Sequence, residues 1–189
     1  GYWNTGKGST WEGGIREPAF AYWKGQIKPG SWSDTTLSTM DILPTLLAQA
    51  GVPQPTDRII DGKDMSSVLT KDMNSAWVDD FLYMYNDVKT IYAVRHGEFK
   101  AHFVTAPGLG GCKLPACKKE THDPPLLFNV MVDPSEAYPL EASANKEVIA
   151  KIVAAKTAWE AKFEFGHIVP GSGEEYAVCC DRSKNCICN

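Results

Sequence analysis

Residues 6–19 read GKGSTWEGGIREPA and carry the most distinctive pattern in the chain. Glycines let the backbone come close to an anion, and Lys7, which stands between two of them, can present its ammonium group there. A true phosphate-binding loop is excluded, because Gly8 stands where a Ser or Thr must reach the metal and no strand precedes the loop. Taken alone, the stretch is compatible with an anion-contacting lysine or with an ordinary exposed turn lysine.

The chain that follows this stretch is predicted to form a strand and then a helix. Residues alternate from Ile15 and end in the apolar run Ala19–Trp23, which predicts a buried strand. Helical spacing over Thr36–Ala50 predicts a core helix that begins near Asp41. Met65–Leu69 is expected to form a short helical turn.

The second half is predicted to be an antiparallel sheet with one helix. Thr90–Val94 and Phe99–Val104 alternate around a four-residue turn, and Leu126–Val132 is a third strand candidate. The clearest helix covers residues 145–164, and its apolar stripe is expected to pack on the sheet or, as an alternative, to dock a partner helix. The stripe consists of Val148, Ile149, Ile152, Val153, Trp159 and Phe163.

These elements predict three regions. Residues 1–75 form the edge of an α/β domain, residues 76–168 form a small α+β subdomain, and residues 169–189 form a Cys-rich tail. We interpret the beginning at Gly1 as the middle of a loop, so the sequence is expected to be a fragment of a longer chain.

Composition restricts the function classes. The chain has 189 residues and a net charge of −4 with scattered basic residues, which argues against a nucleic-acid partner. No apolar run is long enough for a membrane span. The even number of closely spaced cysteines indicates an oxidising compartment and favours disulfides over a zinc site, whose cysteine pairs usually have two-residue gaps. The six are Cys112, Cys117, Cys179, Cys180, Cys186 and Cys188.

The opening stretch closely resembles a segment of the arylsulfatases, in which Gly-Lys is followed by a small or polar pair, an aromatic residue, Glu-Gly-Gly, and then Arg and Pro. The Cys-rich tail is similar to that of animal lysosomal arylsulfatases and the related galactosamine-sulfate sulfatases. Further matching segments, in the family's order, are Met40–Leu46, Ile60–Gly62, Lys100–Phe103, Pro124–Phe128 and Asp133–Glu136.

The resemblance implies an alkaline-phosphatase-like α/β fold, with a large mixed sheet and a smaller C-terminal antiparallel sheet. It also implies hydrolysis of sulfate esters with a formylglycine and a calcium ion, whose residues are expected upstream of Gly1, so that no metal ligand is expected in this chain. Lys7 matches the family lysine that contacts the sulfate near the leaving group, where its ammonium would offset the negative charge that develops as the S–O bond breaks.

Other candidate site residues have two interpretations each. Thr10, Glu12 and Arg16 are expected to support the Lys7 loop rather than to touch substrate. His102 and His122 are candidates for the substrate entrance, with an ordinary packed or surface position as the alternative.

Acidic residues and cysteines complete the candidates. Asp61, Asp133 and Glu136 could suggest a metal site, but turn capping explains them better, because each lies in a separate turn beside Gly or Pro.

In the family, a cysteine near Cys112 bonds to one just before the Gly-Lys motif. Thr5 stands at that partner's position, which favours a local Cys112–Cys117 bridge.

The predicted function is a sulfuric ester hydrolase that acts on an aryl sulfate or a sulfated glycan or lipid. The chain would work together with the N-terminal part of the same sulfatase, would be inactive alone, and is compatible with a homo-oligomer. The location implied is secreted or lysosomal. The alternative is a sulfatase-derived structural or carbohydrate-binding protein of the extracellular matrix with little or no turnover.

Overall fold

The structure is a computed structural model that describes residues 5–71, 80–85, 90–108 and 118–163. The chain divides into two compact units, Gly1–Ala158 and Trp159–Asn189, and the sheet and the candidate site belong to the first. In the described ranges, no helix is both long and apolar enough to cross a bilayer.

A four-stranded antiparallel sheet forms the centre of the first unit. Its strands are β1 (Phe81–Tyr85), β2 (Ile91–His96), β3 (Phe99–Thr105) and β4 (Glu120–Asn129), and they lie side by side in chain order. The predicted hairpin is confirmed as β2 and β3, which pair from Ala93 opposite His102 to His96 opposite Phe99.

The third predicted strand is also present, but its boundaries were wrong. β4 begins at Glu120 and ends at Asn129, whereas Val130–Val132 lies in the following turn. Pro124 and Pro125 argue against a central strand, but β4 is at the edge of the sheet, where a missing N–H is tolerated.

One face of the sheet packs against the segment that contains Trp11. Residues directly opposite each other in antiparallel strands point to the same face. Arg95, Lys100 and Phe128 form one such row across β2, β3 and β4, and this face packs against Trp11, whose ring lies 5.7 Å from that of Phe128.

Helix α4 (Lys146–Glu160) packs against the sheet, as predicted. Ile149 and Ile152 are its buried residues. The hydroxyl of Tyr83 on β1 donates a hydrogen bond to the Ala155 carbonyl, and the Lys156 ammonium lies 5.1 Å from the centre of the Phe103 ring on β3. The apolar stripe is therefore an ordinary core contact in its central part.

The first part of the chain contains three short α-helices, α1 (Glu12–Ile15), α2 (Ile42–Gln49) and α3 (Ser66–Lys71), and a 3₁₀ turn at Thr39–Asp41 that leads into α2. Asp41 joins two of them, because its carboxylate accepts the backbone N–H groups of Ser38 and Lys63. The Ser38–Asp41 capping box fixes the entry to α2, and the Lys63 bond holds the loop before α3 on that entry.

Two predictions for this first part are wrong. Ala19–Trp23 forms no strand, and Phe20 and Tyr22 are exposed, because this segment pairs with no strand among the described residues. The helix after Asp41 exists, but it is not a core helix: Leu46 is 62% exposed, and its buried residues are Pro44 and Thr45.

Candidate functional site

The loop that carries Lys7 is closed by short-range hydrogen bonds. The Ser9 hydroxyl donates to the Gly6 carbonyl at 2.9 Å, and the Ser9 backbone N–H donates to the same oxygen at 3.2 Å. The Thr5 and Ser9 hydroxyl oxygens are 2.6 Å apart. Gly8 adopts a φ of 87°, a conformation that glycine accepts without steric cost. Glycine at this position therefore lets the chain turn directly after Lys7.

Two other glycines press directly against this loop. A Cβ atom on Gly14 would lie 2.4 Å from the Ser9 carbonyl oxygen and 2.7 Å from that of Gly6. A Cβ atom on Gly108 would lie 2.7 Å from the Gly6 carbonyl oxygen and 2.8 Å from that of Lys7. The backbone around Lys7 is thus in close contact with α1 on one side and with the segment after β3 on the other.

Lys7 itself is exposed. Within the described ranges its ammonium group forms no ion pair, although the residues on the same loop that follow it, Ser9, Thr10 and Trp11, are all buried. A backbone packed closely against Gly14 and Gly108 therefore presents an exposed cation without an ion-pair partner in these ranges, an arrangement suited to contacting an anion.

Glu12, directly after the loop, is the centre of a buried charge cluster. Its side chain is 2% exposed, and its Oε1 atom accepts a hydrogen bond from the Lys100 ammonium at 3.0 Å. Its Oε2 atom lies 3.6 Å from the guanidinium groups of Arg16 and Arg95. Glu12 therefore joins the start of α1 to strands β2 and β3.

Glu136 is the second carboxylate of this cluster. Its Oε1 atom lies 3.0 Å from the Lys100 ammonium and 2.7 Å from Nε2 of His102, and its Oε2 atom accepts the backbone N–H of Glu12 at 2.5 Å. Its backbone has a φ of 53°, an uncommon conformation for a residue with a side chain. The buried contacts are what hold it there.

The turn before Glu136 is organised by Asp133. The carboxylate of Asp133 accepts the backbone N–H groups of Ala137 and Tyr138 and the Ser135 hydroxyl, while its carbonyl accepts the Glu136 N–H. Burial alone would raise the pKa of Asp133, but these hydrogen bonds outweigh it and lower that pKa. Turn capping is therefore confirmed for Asp133 and wrong for Glu136, whose side chain points into the cluster.

His102 contributes an imidazole to the same interior. It is fully buried, its ring centre lies 4.4 Å from that of Trp11, and it meets Phe128 edge-on at 5.8 Å. Because the Glu136 carboxylate can only accept, Nε2 of a neutral ring carries the proton, and Nδ1 has no hydrogen-bond partner among the described residues. This position fits the packed alternative rather than a substrate entrance.

The charges of this interior are balanced when His102 is neutral. Two carboxylates, Glu12 and Glu136, face the cations Lys100 and Arg95. Burial lowers the pKa of His102, and Lys100 lowers it further, against the opposing effect of Glu136. Burial would raise the pKa of Glu136, but the His102 hydrogen bond and the Lys100 charge outweigh it and hold that pKa below its usual value.

The remaining predicted residues lie at the edge of this arrangement or outside it. Thr10 is buried, and its hydroxyl has no hydrogen-bond partner among the described residues. Arg16 is 44% exposed beside Glu12. His122 is partly buried, and its Nε2 lies 2.9 Å from the Thr105 hydroxyl. All six cysteines, and with them the disulfide predictions, lie outside the described residues.

A calcium site does not fit the residues that the structure describes. Asp133 and Glu136 share one turn, but the Asp133 carboxylate accepts backbone N–H groups whereas that of Glu136 faces Lys100. No three His, Cys, Asp or Glu side chains in these ranges converge as metal ligands. Both cluster carboxylates are already paired with the Lys100 ammonium. No step of a metal-dependent reaction can therefore be derived from this part of the chain.

Sequence reasoning gave no role to Lys100 or Arg95, and it assigned Glu136 only to a turn. The available signal was the pair Lys100 and His102, two polar residues that alternate within a strand of otherwise apolar residues. Such alternation usually indicates a solvent-facing side of a sheet. Here that side faces Glu12 and Glu136, so the polar residues are buried.

Comparisons with known proteins agree with the fold. The family described as "C-terminal region of aryl-sulfatase" matches residues 78–188, and the sulfatase family matches residues 1–52. Arylsulfatase A of Homo sapiens is 39% identical over 93% of this chain and 37% of its own length. The arylsulfatase of Hemicentrotus pulcherrimus is 37% identical over 97% of this chain and 36% of its own length.

The fold is also similar to that of a sulfatase whose structure has been solved. The crystal structure of the PsFucS1 sulfatase from Pseudoalteromonas sp. matches 87% of this chain and 34% of that chain with a TM-score of 0.73 and 27% identity. The present chain thus spans a little over one third of the length of the curated relatives named above. The resemblance seen in the opening motif is confirmed, and the chain belongs to the sulfatase family, of which it carries the C-terminal region.

Proposed function

We propose that the protein containing this chain hydrolyses sulfate esters, and that the chain contributes Lys7 to the site where sulfate binds. The observation that carries the proposal is the presentation of Lys7. Its ammonium is exposed and makes no ion pair within the described ranges, while the backbone that bears it is enclosed by Gly14 and Gly108. The relatives' names, which include arylsulfatase A, support the same reaction class.

Lys7 would act through its positive charge. Hydrolysis of a sulfate monoester breaks the S–O bond with water and yields sulfate and an alcohol or phenol. Negative charge develops on the departing oxygen as that bond breaks, and a fixed ammonium beside it stabilises the transition state more than the ground state. Removing one such fixed group from an enzyme typically costs about 100- to 1000-fold in kcat.

Glu12, Arg16 and Thr10 would support the loop rather than contact substrate. The Glu12 carboxylate is buried and bound to Lys100 and Arg95, so it is not available to an incoming sulfate ester. Arg16 lies beside the same carboxylate at the protein surface. The hydroxyl of Thr10 is buried within the described part of the molecule.

The other parts of the site would come from the rest of the sulfatase. The family resemblance implies a formylglycine as nucleophile and a calcium ion that neutralises sulfate oxygens, and we propose that their residues lie in the N-terminal part of the same protein. The substrate class would be an aryl sulfate or a sulfated glycan or lipid. The crowded cysteines and the family favour a secreted or lysosomal protein.

A second candidate function is a sulfatase-derived matrix or carbohydrate-binding protein with little turnover. The close packing of Gly14 and Gly108 around the backbone of the exposed Lys7 favours the enzyme, because a scaffold has no need to present an unneutralised lysine in this way. The test is to purify the full-length protein, search its peptides by tandem mass spectrometry for a formylglycine, and measure sulfate released from an aryl sulfate. Formylglycine with turnover supports the proposal, whereas an unmodified residue without turnover supports the scaffold.

A further inference from the structure

We propose that Glu136 and Lys100 are positioning residues, which hold Glu12 and thereby fix the loop that presents Lys7. The inference rests on the proposed function, because it assigns these residues a role through Lys7 and no contact with substrate of their own. Neither residue lies near Lys7 in the sequence. Both reach the loop from the C-terminal subdomain.

The first step of the connection is that Lys100 and Glu136 together hold Glu12, and we call these two residues the clamp. Lys100 lies between the two carboxylates, 3.0 Å from Oε1 of Glu12 and 3.0 Å from Oε1 of Glu136. Glu136 also accepts the backbone N–H of Glu12 at 2.5 Å. Both the side chain and the backbone of Glu12 are therefore held by charge-assisted bonds, which are stronger and more directional than neutral ones.

The second step leads from Glu12 to Lys7 through backbone contacts. Glu12 begins α1, and Gly14, two residues later, touches the carbonyl oxygens of Ser9 and Gly6 with no room for a Cβ atom. A shift of α1 must therefore move residues 6–9, and Lys7 lies between them. Close-packed backbone transmits such a displacement because it has no side-chain freedom to absorb it.

The third observation is that this cluster is a poor choice for stability alone. Replacing a buried ion pair with well-packed apolar side chains is often neutral or stabilising. Here Lys100 is fully buried and Glu136 is held in a left-handed backbone conformation. Uncommon backbone conformations of this kind collect at functional sites, where the surrounding structure holds them. The arrangement suits a device that fixes geometry.

The Glu136 carboxylate contacts only members of the buried cluster among the described residues. Around it lie the Lys100 ammonium, the neutral ring of His102 and the Glu12 N–H, with the Arg95 guanidinium on the far side of Glu12. The rings of Trp11 and Phe128 cover His102. Losing the Glu136 charge therefore weakens the contacts of Lys100 and of the Glu12 backbone together.

A double-mutant cycle in the full-length protein tests the inference. The variants are Lys7→Ala, Glu136→Gln and the double variant, with Glu147→Gln on the exposed face of α4 as the matched control. The readouts are kcat and KM for p-nitrophenyl sulfate, together with the melting temperature. Displacing a catalytic group by about 1 Å can cost about 100-fold in rate.

We expect Glu136→Gln to lower kcat by about 10- to 100-fold with a much smaller change in KM. The double variant should be no less active than Lys7→Ala, because a group that acts through Lys7 has nothing to position once Lys7 is absent. Glu147→Gln should match the wild type. Multiplication of the two single losses in the double variant, or unchanged kcat in Glu136→Gln, would overturn the positioning role.

The cycle separates this inference from the proposed function. Wild-type kcat in Lys7→Ala would refute the proposed role of Lys7, whereas an inactive Lys7→Ala beside a fully active Glu136→Gln would refute the positioning role alone. If Glu136→Gln yields no folded protein, Asp133→Asn takes its place, since it loosens the Glu136 turn and leaves every cluster residue present. The double variant of Asp133→Asn and Lys7→Ala should then be no less active than Lys7→Ala. Multiplication of the two single losses in kcat would again overturn the inference.

Discussion

The ammonium of Lys100 lies 3.0 Å from the Oε1 atom of Glu12, although the two residues are 88 positions apart and both are almost fully buried. This bond joins the loop that carries Lys7 to the antiparallel sheet of the C-terminal subdomain. Burying an ammonium costs several kcal/mol unless its partners compensate, and here Glu12 and Glu136 together supply that compensation.

Replacement of Lys100 by Met should destabilise the full-length protein strongly. The variant leaves the buried carboxylates of Glu12 and Glu136 without the cation between them, and breaking a buried ion pair from one side costs about 3–5 kcal/mol. Urea unfolding measures the change. The exposed Lys146→Met is the control, for which a change within about 0.5 kcal/mol is expected. Equal stability of the two variants would contradict the assigned role of Lys100.

Replacement of Gly14 by Ala should displace the Lys7 loop. The added methyl group would lie 2.4 Å from the Ser9 carbonyl oxygen, which is backbone and cannot turn away. Overpacking of this kind costs about 1–3 kcal/mol, and a fall in kcat should accompany the lower melting temperature. Gly6→Ala is the stability control, because its Cβ atom would meet nothing within 4 Å. A wild-type melting temperature in Gly14→Ala would be inconsistent with the packing described above.

Asp133 should stabilise the turn that presents Glu136 through its acceptor oxygens. Asp133→Ala removes the acceptor of the Ala137 and Tyr138 N–H groups and of the Ser135 hydroxyl, with an expected loss of about 2–3 kcal/mol in unfolding free energy. Asp133→Asn keeps one acceptor oxygen and should lose less. The comparison uses urea midpoints, and an Asn variant as unstable as the Ala variant would argue against the hydrogen bonds as the cause.

The stability of the protein should decrease in acid partly through His102. Its pKa in the folded state is lowered from 6.5, chiefly by burial, so the folded protein binds fewer protons than the unfolded chain just below that pH. The stabilising contribution of the neutral ring is therefore complete above pH 6.5 and is lost as the pH falls toward the lowered value. Glu136, with a pKa lowered from 4.5, adds a loss of the same sign at lower pH.

His102→Gln tests this pH dependence. The Gln amide can still donate to Glu136 but does not titrate, so the plot of unfolding free energy against pH should be flatter than the wild type immediately below pH 6.5. One proton accounts for at most about 1.4 kcal/mol per pH unit. The two proteins should have equal slopes above pH 7, where imidazole is neutral in both states. Parallel curves below pH 6.5 would show that His102 does not cause the acid sensitivity.

Sequence reasoning predicted the central hairpin and the long helix of the second half because these elements are local, but it missed β1 (Phe81–Tyr85). The β2–β3 hairpin and α4 follow from alternation and from helical spacing, and their stabilising contacts lie within the described residues. The segment Ala19–Trp23 has the same apolar signal but forms no strand, because a strand needs a paired neighbour and composition alone does not provide one.

The candidate site was predicted only in part, for a related reason. The roles proposed for Lys7 and Glu12 come from the family resemblance of one contiguous motif, so they need no knowledge of the fold. The partners of Glu12 are Lys100 and Glu136, which are distant in the sequence and meet it only after the sheet has formed. The nearby Pro134 indicated that Glu136 lies in a turn. In the structure Glu136 has a left-handed backbone, and its carboxylate points into the buried cluster.

The most direct measurement is kcat for p-nitrophenyl sulfate in the full-length protein, compared between the wild type, Lys7→Ala and Lys24→Ala. Lys24 is also an exposed lysine in a turn, so it controls for the loss of one surface charge. The account predicts turnover in the wild type and in Lys24→Ala, and a kcat about 100- to 1000-fold lower in Lys7→Ala. Equal kcat in all three proteins, or no turnover in a wild type that carries formylglycine, would contradict it.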